Sequence, residues 1–193
     1  MSDGAGAPDQ ESQARIRHRV ANTFHFLAAL ARMRAQRAGD PSPGHALSWM
    51  ADTIVDLGTL ERFFRDDQAD ISAYLTSMGQ VWRDRYRRRN LEVVLDLCPL
   101  TLSETAAQTV VLCALELVAN AASHTFVGDV QPEVRLVLQP SADGYDLSVS
   151  DTGFGMASQT DSFGLWLVRR LAQQIKGELS LTPDGGASLA FRP

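Results

Sequence analysis

Apolar positions follow two rhythms along the chain, and the rhythm changes near residue 90. In the first part Ile16, Val20, Phe24, Leu27 and Leu30 recur every three or four positions. That spacing gathers them on one face of a helix. No Gly or Pro interrupts the run, so a helix is predicted over Ser12–Arg37. "AGDPSPGH" at Ala38–His45 ends it, because Gly and Pro break the helical pattern. Leu47, Met50, Ile54, Leu57, Leu60 and Phe64 mark the stripe of a second helix, from His45 to Arg65. Two long amphipathic helices joined by a tight turn make a helical hairpin. One hairpin cannot cover both of its stripes, so two are expected to pair as a four-helix bundle on dimerisation.

The second part alternates. A helix is predicted over Asp70–Arg88, then a strand at "LEVVLDL", Leu91–Leu97, rich in β-branched residues. A helix over Ser103–His124 follows, with Ser103 as its N-cap. "EVRLVLQ" (Glu133–Gln139) and "YDLSVSD" (Tyr145–Asp151) read as strands, and the "PSADG" between them signals a hairpin. A loop at Thr152–Ser162 leads to a helix over Phe163–Lys176, stopped by Gly177. "GELSLTP" and "ASLAFRP" are the last strands, joined through "DGG". Helices on one face of a mostly antiparallel sheet make a two-layer α/β sandwich. The fold class is therefore α+β, in three parts: a flexible tail at 1–13, the helical hairpin at 14–67 and the sandwich at 68–193.

Composition narrows the function classes. The chain has 193 residues, 45% of them hydrophobic, and a net charge of −5. That is enough apolar content for a buried core, and the acidity argues against a general nucleic-acid binder. The basic run "RDRYRRR" at Arg83–Arg89 is the local exception. Cys98 and Cys113 stand among apolar residues and make neither a disulfide framework nor a zinc site, which fits free thiols in a reducing cytoplasm. No apolar run approaches the roughly 20 residues of a membrane span. The polar start "MSDGAGAPDQESQ" is not a signal peptide. A cytoplasmic protein is expected, with no membrane partner, taking its input from a ligand or a separate sensor protein.

Four short motifs carry the candidate chemistry. In "HRVANTFHFL" (His18–Leu27), His18 lies two residues from both Ile16 and Val20, about 200° round the helix from each. An imidazole facing solvent, with a pKa near neutrality, is a competent phosphoryl nucleophile. Asn22 sits one turn on, where its amide can bond a phosphate or a water. His25 lacks such a neighbour. Taken alone, an exposed His on a helix is most often an ordinary surface residue. In "ELVANAASH" (Glu116–His124), Glu116, Asn120 and His124 share one helical face at spacings of four. A carboxylate, an amide and an imidazole in a row suit a Mg²⁺-phosphate site, or else form a polar outer stripe. In "SVSDTGFGM" (Ser148–Met156), Asp151 ends a strand and can accept from an exocyclic amine, while Gly153 and Gly155 let the backbone approach a ligand. In "SFGLWLVRRLAQQIKGEL" (Ser162–Leu179), Gly164 opens a helix whose first amides can hold phosphate.

In this order, H-R-x-x-N, E-x-x-x-N-A-x-x-H, D-x-G-x-G, a G-L-x-L-V helix and a closing G-G turn, the chain resembles a two-component sensor histidine kinase core over Arg15–Phe191. The resemblance is closest to the H-R-x-x-N class related to the HWE kinases. It implies a dimerisation and histidine-phosphotransfer hairpin followed by an ATP-binding domain of the Bergerat type. It implies further that His18 is the phosphoacceptor, Asn120 the Mg²⁺ ligand supported by Glu116, and Asp151 the partner of the adenine amine. Gly153, Gly155 and Gly164 then shape the nucleotide pocket and lid, with His124 beside them. Three positions depart from that pattern. Ser123 replaces a lysine common in this class, Phe163 replaces a second glycine, and the lid "ASQTDS" carries no cation.

The resemblance therefore implies a homodimeric, ATP- and Mg²⁺-dependent histidine kinase that passes its phosphoryl group to the receiver domain of a response regulator. A second reading is a phosphotransfer protein relaying phosphate between receiver domains, its second domain no longer binding ATP. A third, an anti-sigma-type serine kinase, has no need of the His18 hairpin.

Overall fold

The computed structural model describes residues 7–36, 43–125, 131–153, 162–182 and 186–192. The chain forms two compact units, 1–57 and 58–193. The first unit holds α1 (Ala7–Gln36) and most of α2 (Pro43–Leu60). Helix α1 starts five residues before the periodicity suggested, because the polar stretch from Ala7 contains no helix breaker after Pro8, and Pro is tolerated in a first turn. Leu27, Leu30 and Leu57 are buried, and the Arg34 guanidinium carbon lies 5.3 Å from the centre of the Trp49 ring. The end of α1 and the beginning of α2 therefore meet. Much of the apolar stripe stays uncovered within one chain: Ile16, Val20, Ile54, Phe24 (66% exposed) and Leu47 (72% exposed) face solvent.

The second unit opens with a 3-10 turn and two very short strands, β1 (Phe64–Arg65) and β2 (Gln68–Asp70), joined through Asp66 at φ 55°. With β4 (Thr101–Ser103) they make a small antiparallel sheet, Ala69 opposite Leu102. The second helix was expected to run to Arg65; instead it stops at Leu60. Strands of two or three residues are too short to leave a period-two signature. Asp70 caps α3 (Ile71–Tyr86), its carboxylate accepting from the Ala73 amide at 2.9 Å. Ile71, Tyr74, Leu75, Met78 and Trp82 bury one face of that helix, which packs on β3 (Glu92–Leu97). The arginines of the basic run are exposed at its end, where cations complement the helix dipole.

The main sheet has the order β3-β5-β6-β8-β7, with β5 at Glu133–Ser141, β6 at Gly144–Asp151, β7 at Glu178–Leu181 and β8 at Ala187–Phe191. Only β3 and β5 run parallel. Val134, Leu136, Leu138, Leu147, Val149, Leu189 and Phe191 are buried at alternate positions, so one face carries the core. Helices α4 (Glu104–His124) and α5 (Phe163–Gln174) cover that face, α4 against β5 and β6, α5 against α4 and β7. This is the two-layer α+β arrangement the sequence predicts.

Three local expectations change. Ser103 holds the N-cap position of α4 but its side chain makes no capping hydrogen bond; Glu104 supplies the acid in the first turn. Gly177 does not simply stop α5. Lys176 takes the left-handed position at φ 50°, and a Cβ on Gly177 would meet the Ala190 carbonyl oxygen at 2.6 Å, so glycine is needed for the approach to β8. Helix α4 is long and apolar enough to cross a membrane by length and composition, with a mean hydropathy of 1.4 over Glu104–Ser123. In the fold 78% of that window is buried against the sheet and α5, and the apolarity has its explanation there.

Cys113 lies inside this core, and burial, with the Glu116 carboxylate adding to it, raises its pKa well above the ordinary thiol range. The folded state therefore keeps a proton that the unfolded state releases above about pH 8.5. Its contribution is complete below that pH and is lost as pH rises, by up to about 1.4 kcal/mol per unit. Urea unfolding at mildly and strongly alkaline pH should show a steeper loss of stability for the native chain than for Cys113→Ala. Equal slopes would mean that the thiol is not excluded from water.

Candidate functional site

His18 is exposed on α1, and Asn22 places its Nδ2 at 3.2 Å from His18 Nδ1, one turn along. The pair sits in the first unit. The expected amide on the histidine face is there, but it meets the ring itself. His25 is also exposed.

The other candidates belong to the second unit. On α4, Leu117, Val118 and Ala121 pack inward, which leaves Glu116 and Asn120 half-buried on the side that is not core. Asn120 Nδ2 is buried with no hydrogen-bond partner among the described residues. Such a donor costs about 1–3 kcal/mol unless something accepts from it. A Cβ on Gly164 would stand 2.8 Å from Glu116 Oε2. The structure thus brings Glu116 and Gly164 together: a methyl group at position 164 would push the end of the Glu116 carboxylate aside. Ser123 turns its hydroxyl back to the Ala119 carbonyl at 2.8 Å. The side chain of His124 lies outside the described residues.

Asp151 ends β6 and accepts the Gly153 amide on Oδ1 at 2.8 Å, while its Oδ2 is buried. One carboxylate oxygen shapes the turn and the other faces inward. Gly155 and the segment 154–161, which includes most of the expected lid, fall outside the described residues. Ser162 caps α5 by accepting the Leu165 amide at 3.2 Å. That cap takes one first-turn amide out of the set expected to hold an anion. The Phe163 and Trp166 rings lie 5.7 Å apart at the same helix start.

Thr152 is a contributor that the motif reading passed over. Its Oγ1 accepts from the Glu133 amide at 3.0 Å and donates to the Gln131 carbonyl at 3.3 Å, and its own amide donates to the Glu133 carbonyl at 3.1 Å. Asp151 is therefore held by a turn pinned to the start of β5. The signal was present as the Thr between Asp and Gly, but nothing local says which strand it bonds.

Among the described residues no three His, Cys, Asp or Glu side chains gather as a metal site. A hollow of about 280 Å³ opens at the other end of β6, lined by Ser141, Asp143, Lys176, Glu178 and Arg192. Its two cations face two carboxylates, and Arg192 already pairs with Asp143 at 3.1 Å. None of the candidate site residues His18, Asn22, Glu116, Asn120, Asp151 or Gly164 lines it.

No protein-family model matches the chain. The sensor histidine kinase PdtaS of Mycolicibacterium smegmatis is 25% identical over 199 aligned residues, covering 92% of this chain and 38% of PdtaS. The chain thus spans little more than a third of the curated relatives it matches. In fold it is similar to the histidine kinase domain of the blue-light activated kinase EL346 of Erythrobacter litoralis. The TM-score there is 0.70 at 18% identity, over 92% of this chain and 91% of that one. Full-length ShkA, solved in complex with AMPPNP, matches at a TM-score of 0.50 and 19% identity, over 94% of this chain and 45% of ShkA. By sequence the chain is thus similar to part of a sensor histidine kinase, and by fold to histidine kinase domains.

Proposed function

We propose that the chain is an ATP-dependent protein histidine kinase of the H-R-x-x-N class, transferring the γ-phosphoryl group of ATP to His18 and from there to an Asp of a response regulator. It acts in the cytoplasm as a homodimer through paired hairpins of α1 and α2. The observation that carries this reading is Asn120. A buried amide donor without an acceptor among the described residues is a standing cost to the fold, and a phosphate oxygen removes that cost. A degenerate scaffold has no reason to keep it.

The surrounding residues fit the same ligand. The Asn120 side-chain oxygen is a hard donor of the kind Mg²⁺ takes, and Mg²⁺ binds through few protein ligands plus phosphate oxygens, so no preformed cage of carboxylates is required. Bound there, the ion supplies neutralisation of phosphate charge. Asp151 Oδ2, buried beside a pinned turn, suits an exocyclic amine. The start of α5 offers backbone amides and its positive dipole end, fewer by the one that Ser162 takes. With no cation in "ASQTDS" and Ser123 in place of lysine, turnover is slow and affinity weak. Incubation with γ-labelled ATP and Mg²⁺ should place acid-labile phosphate on His18 with no other protein present, and His18→Ala should abolish it with the fold unchanged. Label arriving only from a phosphorylated receiver domain, with no detectable ATP binding at millimolar nucleotide, would establish the relay instead.

Two further outcomes belong to this reading. By calorimetric titration, Asp151→Asn should weaken nucleotide binding by about tenfold or more, the loss of a charged hydrogen-bond partner at roughly 1.5–3 kcal/mol. Gly164→Ala should weaken it as well, by displacing Glu116. Unchanged affinity in both would place the nucleotide elsewhere. Light scattering at micromolar concentration should give a dimer, since Phe24, Leu47 and Ile54 are left uncovered in one chain; covering such side chains stabilises by about 1.5–3 kcal/mol each. A monomer would contradict it.

A further inference from the structure

Which nitrogen of His18 can attack phosphorus depends on where the ring proton sits, and that is set by the hydrogen bond at the other nitrogen. The residue after His18 is Arg19, a cation with no acceptor. One turn before it, positions 14 and 15 are Ala and Arg. One turn after it stand Ala21 and Asn22. No carboxylate on this part of α1 can therefore hold a proton on Nδ1, and the group that reaches Nδ1 is the Asn22 amide, at 3.2 Å. Resting on the assignment of His18 as phosphoacceptor, we propose that Asn22 is a positioning residue whose amide selects the reactive nitrogen of His18.

The selection follows from the two ends of one side chain. With Nδ2 toward the ring, as here, the amide donates to Nδ1, and the neutral ring carries its proton on Nε2, where it has no lone pair for phosphorus. Turned by half a rotation, the same amide presents its oxygen. It then accepts from Nδ1–H, and Nε2 holds the lone pair. In that state the Nε2–P bond forms as the bond from the γ-phosphorus to the bridging oxygen breaks, and ADP leaves with the electron pair. The ring keeps Nδ1–H against the amide oxygen while it is cationic and afterwards loses that proton to water. Asn22 takes up no proton at any stage. It is a two-position device, one position masking the nucleophile and the other exposing it.

The test uses the whole chain with ¹⁵N-labelled histidine, recorded at mildly alkaline pH. Asn22→Asp offers only acceptors, and should shift the His18 signals to the Nδ1–H tautomer and raise the rate of labelling from ATP. Asn22→Ala should return the ring to the tautomer mixture of a free histidine, and its rate should fall between those of the native chain and Asn22→Asp. His25, exposed on the same helix, serves as the internal standard in each spectrum. If the His18 signals are the same in the native chain and both variants, the inference is overturned, whatever the kinase activity. If the signals move as stated but no chain takes label from ATP, the selection stands and the kinase reading falls.

Discussion

Helix α4 must satisfy two demands at once, and the rest of the second unit is arranged around how it does so. Its apolar residues, Val110, Val111, Leu117, Val118 and Ala121, have to lie on β5 and β6 beside α5. Nearly four-fifths of the helix is buried, enough for a membrane-length stretch to be at home inside a domain. Glu116 and Asn120 occupy the one strip that is not core. Because α5 closes on that strip so tightly that Gly164 meets the Glu116 carboxylate, the polar residues sit against the start of another helix and are shielded from bulk water. Packing thus produces the half-buried polar wall on which the nucleotide proposal rests.

The first unit obeys a different constraint. Its helices bury Leu27, Leu30 and Leu57 and leave a second set of large apolar side chains uncovered. A unit of two helices has no third layer to cover them. His18 lies among these exposed turns, and the side chain that reaches its Nδ1 among the described residues is the Asn22 amide. The proposed chemistry at His18 calls for groups the single helix does not supply: a second chain for the stripe, and a phosphoryl donor for the ring.

The sequence made the long elements legible. Apolar spacing of three and four located α1 and α2, which run long enough for their period to repeat, while a cap at Ser103, a stop at Gly177 and the hairpin signal "PSADG" placed α4, α5, β5 and β6. The miniature sheet of β1, β2 and β4 was not legible, since its strands have two or three residues and its turn relies on Asp66 at positive φ. Among site residues, the sharing of a face by Glu116 and Asn120 follows from helix geometry alone, as does the meeting of His18 and Asn22. The contact of Glu116 with Gly164 and the anchoring of Thr152 to β5 join residues far apart in the chain. No local pattern encodes such distances; they are fixed only when the sheet order and the approach of α5 are known.

The central claim is that the wall formed by α4, the end of β6 and the start of α5 receives the nucleotide. Amide correlation spectra recorded while Mg²⁺-ATP is titrated into the intact chain test it most directly. The account predicts that the Asn120 side-chain amide and the backbone amides of Gly153 and Gly164 shift together, with one common affinity. Shifts confined to the hollow of Ser141, Lys176 and Arg192, or no shifts at millimolar nucleotide, would contradict it.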